Sequence, residues 1–221
     1  MKTVATITAA ALAAAVSPAA AQSIVDTPLG PRIEVRVGWD RLDAVTEVHD
    51  GSQRTEISSG DSGVTYGGEV GYDMVLSGAS VVGLYAGLSG STFETCDDLF
   101  SGTRAIARDC TKAGREVSVG GRIGFVTGPN ALVYLKGGYS NGEFRRDQRD
   151  LLTPGNDTRN MARLDGFHLG AGGEFGLTSR AYGKLEYLYT NYAADKGTLG
   201  NLRIETGAER HHVIAGLGYR F

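Results

Sequence analysis

The chain has 221 residues, 33 of them glycine, and its 22 Lys and Arg stand against 25 Asp and Glu for a net charge of −3. That balance excludes a strongly basic nucleic-acid binder; a hydrophobic fraction of 41% excludes a disordered chain; five prolines and no Gly-X-Y period exclude collagen. Two cysteines are too few for a disulfide-rich scaffold or a four-cysteine zinc site.

Residues 1–21 have the layout of a secretory signal. Lys2 supplies the positive start, an apolar run extends from Val4 to Val16, Ser17 and Pro18 break it, and Ala19, Ala20 and Ala21 offer small residues for cleavage before Gln22. A membrane anchor helix is the competing reading, but the run is short and alanine-rich. Beyond it, no stretch approaches the ~18 apolar residues of a spanning helix. If this chain enters a membrane, it does so as strands.

From Ile33 the period is two. Ile33, Val35, Val37 and Trp39 share one face, and Glu34, Arg36, Gly38 and Asp40 the other. The second segment sets Val64, Tyr66, Val70, Tyr72 and Met74 against Thr65, Gly67, Glu69, Gly71 and Asp73. The third sets Val82, Leu84, Ala86 and Leu88 against Gly83, Tyr85, Gly87 and Ser89, and the fourth sets Val117, Val119, Ile123 and Phe125 against Glu116, Ser118, Gly120 and Arg122. In the fifth, Val133, Leu135 and Tyr139 oppose Tyr134, Lys136 and Ser140; in the sixth, Phe167, Leu169, Ala171 and Phe175 oppose His168, Gly170, Gly172 and Glu174. The seventh sets Leu185, Tyr187 and Tyr189 against Lys184, Glu186 and Thr190. The eighth sets Val213, Ala215, Leu217, Tyr219 and Phe221 against His212, Gly216, Gly218 and Arg220.

The pattern predicts eight strands of roughly 9–14 residues, long enough to cross a bilayer at a tilt. All five prolines fall outside strand interiors. Connections alternate in length: short at 77–79, 127–130 and 178–180, long at 41–62, 91–114, 142–164 and 192–209. The predicted fold is all-β, an eight-stranded antiparallel up-and-down transmembrane β-barrel with short periplasmic turns and long extracellular loops. An even strand count places both chain ends on the turn side. The domain reading is a signal peptide at 1–21, a periplasmic segment at 22–30 and the barrel at 31–221.

One face of every strand is apolar or aromatic; the other carries glycine, small polar residues and charges. In a soluble barrel of the lipocalin-like carrier type the apolar face would line a ligand cavity. Two features favour the opposite orientation. Aromatics (Trp39, Tyr139, Tyr187, Tyr189, Tyr219, Phe221) sit near the ends of the apolar faces, as interfacial girdles do. The charged face is balanced, Glu34, Glu69, Glu116, Glu174 and Glu186 against Arg36, Arg122, Lys136, Lys184 and Arg220, which suits ion pairing inside a lumen only wide enough for side chains.

The last strand, Val213 to Phe221, alternates apolar residues and ends on an aromatic. With Leu185 to Tyr189 and the glycine-rich strand pairs, it resembles the small outer-membrane β-barrel family of Gram-negative bacteria, the opacity-type, porin-family or outer-membrane-protein-A-like barrel domains. The resemblance covers 31–221 in architecture. It implies residence in the outer membrane, contact with its lipid and lipopolysaccharide, and insertion by the outer-membrane assembly machinery, which would read Val213, Ala215, Leu217, Tyr219 and Phe221. Two-domain relatives carry a peptidoglycan-binding domain after the last strand; this chain stops there.

Cys96 and Cys110 share one long loop. Export favours a disulfide, which would contribute about 3 kcal/mol in the chain-entropy model; free thiols or a metal pair are the alternatives, and no His lies in that loop to assist a metal. His211 and His212 are adjacent on a strand, so they point to opposite faces and make a poor metal pair. Lipid-A deacylases are also eight-stranded and use a lipid-facing Ser-His-Glu set; His211 has the parity, but its strand carries no Ser. The mixed charges of 142–164, Arg145, Arg146, Arg149, Arg159 and Arg163 with Glu143, Asp147, Asp150, Asp157 and Asp165, fit a solvated loop or a contact with anionic lipopolysaccharide or a host ligand. Asn156 to Thr158 matches a glycosylation triplet that a bacterial exported protein does not use. No glycine forms a phosphate loop.

The reading is therefore a non-enzymatic, monomeric, surface-exposed outer-membrane protein without cofactor, metal or nucleic-acid site, acting as an adhesin or surface antigen through its loops. The alternatives are a narrow channel for ions or small solutes, and a lipid-modifying enzyme.

Overall fold

The computed structural model describes residues 29–50, 53–101, 104–152, 157–199 and 202–221. The expected signal peptide, most of the 22–30 segment and Asn156 lie outside them. Among the described residues nine strands follow in chain order: β1 (Pro31–Asp50), β2 (Gln53–Ser77), β3 (Ser80–Ser91), β4 (Glu94–Ser101), β5 (Arg104–Gly128), β6 (Ala131–Asp150), β7 (Thr158–Gly176), β8 (Ala181–Leu199) and β9 (Leu202–Arg220).

Each strand pairs antiparallel with its sequence neighbour, except that β3 passes from β2 to β5 and β4 continues along β5 where β3 leaves off. The seam between β1 and β9 runs from Arg32↔Arg220 to His49↔Arg203. The β3–β5 pairing then closes a ring of eight strands. Closure removes every open edge in the ring, which a sheet in hydrocarbon requires because no water is present to take up unpaired backbone groups. The ends of the barrel chain meet: Phe221 N–H donates to the Pro31 carbonyl at 3.1 Å. Tight turns lie at this end, and at one of them Gly78 takes a left-handed φ of 51° that a β-carbon would strain.

Parity sorts the side chains as the sequence pattern requires. Val35, Leu84, Leu135, Leu169, Leu185 and Leu217 stand half or more exposed on the outer wall, whereas Glu34, Glu69, Lys136, Glu174 and Glu186 are buried within it. Trp39, Tyr66, Tyr139 and Tyr187 mark the outer wall toward the hairpin end, and Phe125, Phe175, Tyr219 and Phe221 mark it toward the turn end.

The strands are longer than the sequence suggests. β2 and β5 each run 25 residues, and the stretches 41–62, 91–114, 142–164 and 192–209, expected as loops, consist mostly of paired strand. β4 was not foreseen. The cause is solvation: beyond the apolar belt a strand no longer needs an apolar lipid face, so hydrophobic alternation lapses while the hydrogen-bond ladder continues.

Candidate functional site

The lumen is the first place to look for chemistry, and it is packed with ion pairs in tiers. Nearest the turns, Arg122 donates to Asp73 through Nε at 2.9 Å and Nη2 at 2.5 Å, and to Glu174 at 2.5 Å; Arg220 donates to the other Glu174 oxygen. Arg32 bridges Glu34, Glu69 (3.0 Å) and Asp73 (3.3 Å), and the Tyr182 hydroxyl donates to Glu34 at 2.6 Å. In the middle, Lys136 Nζ reaches Glu69 at 2.7 Å and Glu186 at 3.3 Å; Arg36 supports Glu69 at 3.2 Å, Lys184 contacts Glu34 and Glu186, and the Tyr134 hydroxyl donates to Glu186 at 2.7 Å. Below the hairpins, Arg210 grips Asp40 at 2.6 and 2.7 Å and Glu116 at 2.9 Å, and Tyr192 donates to Glu116 at 2.5 Å.

Glycine opposite the long side chains makes this density possible. A methyl group on Gly172 would fall 2.5 Å from the Tyr134 hydroxyl oxygen. Buried pairs of this kind repay their desolvation only when hydrogen bonds satisfy most of the remaining valences, and here carboxylates are shared by two or more donors. Apolar residues seal both ends. Leu42, Phe93, Ala113, Tyr192 and Ala208, with Phe144 and Leu164 against them, lie toward the hairpins. Val81 and Leu132, with Leu29 and Val126, lie toward the turns.

All ten charges singled out from the sequence (Glu34, Arg36, Glu69, Glu116, Arg122, Lys136, Glu174, Lys184, Glu186, Arg220) face the lumen and are buried. Arg32 and Arg210, equally central, lay just outside the segments where alternation was read. Their signal was the same parity carried one or two residues further. A Ser–His contact also lies inside: Ser140 Oγ is 2.8 Å from His168 Nδ1, whose Nε2 meets the Tyr85 hydroxyl at 2.5 Å. Both side chains are buried.

His211 and His212 part as expected of strand neighbours. His212 turns inward to Asp40 at 3.1 Å; His211 faces out, its Nδ1 2.7 Å from the Tyr187 hydroxyl and its ring stacked at a tilt on Tyr189, 5.2 Å between centroids. Val213, Ala215, Leu217, Tyr219 and Phe221 form the exposed outer face of β9 and the chain end.

What the molecule offers to its surroundings is concentrated on the hairpins. Cys96 and Cys110 face each other in the β4–β5 register and form a disulfide; with both sulfurs bonded, Glu94 beside them has no thiolate with which to share a metal. Cross-strand ion pairs cover these ladders: Arg108 with Asp98, Arg146 with Asp109, Arg159 with Asp147, Arg149 with Asp157 and Lys112 with Glu94. Arg108 holds the Asp98 carboxyl below the usual carboxylate range through its hydrogen bonds.

Comparisons with known proteins agree with this geometry. The family model described as outer membrane protein beta-barrel domain matches residues 6–221. The 25 kDa outer-membrane immunogenic proteins of Brucella abortus biovar 1 and Brucella suis biovar 1 are 29% identical to the chain over 110 residues, which is 50% of this chain and 48% of theirs. The chain thus spans about half the length of the curated relatives it matches. The crystal structure of the outer membrane protease OmpT from Escherichia coli superposes with a TM-score of 0.53 at 12% identity, covering 88% of this chain and 98% of that one. At that identity the likeness is one of fold.

Proposed function

Because the chain belongs to the outer membrane protein beta-barrel domain family, and so resides in the outer membrane of a Gram-negative bacterium, we propose that it is a non-enzymatic surface protein whose hairpins meet the cell exterior as an adhesin or surface antigen. The observation that carries this reading is the filled and sealed lumen: ion pairs occupy it in tiers and apolar clusters lie over both ends. The one Ser–His contact described above is sealed in with them. Chemistry available to a partner is left on the hairpins, where charged side chains such as Arg159 are three-quarters exposed. The Brucella relatives bear the name outer-membrane immunogenic protein, which is consistent with surface display.

The test places single cysteines by Arg159→Cys on the hairpins and Ser179→Cys at a turn. The native pair is already bonded and leaves no background. In intact cells a membrane-impermeant maleimide should label the first and spare the second. Labelling of the turn alone would refute surface display of the hairpins. Adhesion is then read by comparing host-cell attachment with and without the protein; equal attachment removes the adhesin role.

A further inference from the structure

The outer wall is dented over β2 and β3. On β2 and β3, Gly68, Ala86 and Gly90 take outward positions between larger apolar side chains, and a groove of about 820 Å³ opens over them. Val35 and Leu88 flank Gly68 directly in register, Val70 flanks Ala86, and Tyr66 flanks Gly90. From the Ala86 row to the Gly90 row the groove follows the strands for about 13 Å at roughly 3.3 Å per residue. Its walls are almost wholly apolar.

The groove does not end blindly. Tyr66, Gly90 and Arg115 line both it and a second cleft of about 370 Å³ toward the hairpins, which adds Lys112, Arg145 and Glu94. Positive charge is in excess there. Among the described residues Glu143 serves Arg145 at 2.8 Å, Arg115 at 3.5 Å and Arg163 at 4.0 Å, while Lys112 pairs with Glu94 at 2.9 Å. The next carboxylate, Asp165, is engaged by Tyr139 and Asn141. Four cations therefore share two carboxylates, and the three arginine side chains remain more than half exposed.

We propose that this continuous surface is a docking site for one lipid A unit of lipopolysaccharide, an acyl chain lying over Gly68 and Ala86 and a phosphate held by Arg115, Arg145 and Lys112. The chemistry matches at both ends. A dent flanked by Val35, Tyr66, Val70 and Leu88 accepts a hydrocarbon chain. Guanidinium groups bind phosphate oxygens in paired hydrogen bonds, and basic clusters beside a membrane surface select phosphorylated lipid headgroups. The site lies on the hairpin side of the apolar belt, at the level of the leaflet in which lipid A is found. The inference rests on insertion in the outer membrane and not on what the hairpins bind, so the cysteine labelling above and the measurement below fail separately.

The protein refolded in detergent is mixed with purified lipid A, passed through gel filtration, and its retained lipid counted by mass spectrometry. Wild type should keep lipid A. The double variant Arg115→Gln with Arg145→Gln, and separately Ala86→Phe, should each keep about ten-fold less, with the heat-dependent gel mobility of the folded barrel unchanged. Retention by both variants equal to wild type overturns the site. So does equal retention of dephosphorylated lipid A, or of phosphatidylglycerol, by wild type; those two arms need no variant to fold.

Discussion

Lys136 Nζ lies 2.7 Å from Glu69 Oε2, although β6 and β2 are separated around the ring by β3 and β5. The same ammonium contacts Glu186 on β8, so one cation ties three staves of the barrel together across its interior. Removing it leaves two buried carboxylates short of a partner. Lys136→Met should destabilise the barrel by about 3–5 kcal/mol, measured by reversible urea unfolding in lipid vesicles. A loss below about 1 kcal/mol would mean that the neighbouring Arg36 and Lys184 already neutralise the site.

The outer wall should answer to depth. Leu135 is 63% exposed and sits within the apolar belt, paired with Ile123 and Ala171, whereas Leu177 lies at a turn. Leu135→Arg should cost about 2–4 kcal/mol and Leu177→Arg about 0–1 kcal/mol, following the depth dependence of a cation on a lipid face. The same unfolding measurement compares them. Equal costs would place the hydrocarbon layer elsewhere on the molecule.

How much of this was legible in the sequence follows from what sets each feature. Wall orientation was legible because lipid and lumen impose opposite demands on alternate residues, and Leu169 against Glu174 records both. The hairpins were not, because apart from scattered positions such as Phe93 and Tyr192 their apolar residues keep no sustained alternation; residues such as Arg146 and Asp109 read as solvated loop although they pair across a ladder. Arg32 and Arg210 lie at segment ends, where one or two residues of boundary error hide a charge. Which lumen charges meet was beyond reach for another reason. Contacts such as Lys136 with Glu69 depend on ring closure and on the stagger between strands, which no local pattern encodes.

Sealing at both ends predicts poor conduction. Phe93 and Tyr192 lie in the cluster toward the hairpins, and beneath them Arg210, Asp40 and Glu116 fill the section. Wild type in a planar bilayer should show no steady large conductance. Phe93→Ala should not create one, because the ion-pair tiers remain under the vacated ring. A stable open level in either protein would establish a channel and displace the packed-lumen account.

Acid should loosen one hairpin locally. Asp98 accepts hydrogen bonds from Arg108 at 2.6 and 2.9 Å, and its pKa is lowered by them. A carboxyl with a lowered folded pKa stabilises the pairing above its ordinary value of about 3.9 and loses that contribution as pH falls through the folded value. Amide exchange at 97–99, corrected for intrinsic rates, should stay flat from about pH 7 to 5 and quicken below about pH 4. Asp98→Asn should remove the step; a change already complete by pH 5 would point to another group.

The disulfide stands outside the ring, and its loss should be felt there. Cys96 and Cys110 join β4 to β5 beyond the point where β3 leaves the ladder, 14 positions apart in sequence. The barrel's own closure is made by β3 with β5 and does not include them. In the chain-entropy account the bridge contributes about 3 kcal/mol to holding a loop of this length. Cys96→Ser with Cys110→Ser should therefore leave the heat-dependent gel shift of the barrel in place while proteolysis within 94–112 quickens by about ten-fold or more. Loss of the gel shift would mean that the hairpin nucleates the barrel. Unchanged proteolysis would mean that the Arg108–Asp98 and Lys112–Glu94 pairs hold the hairpin without it.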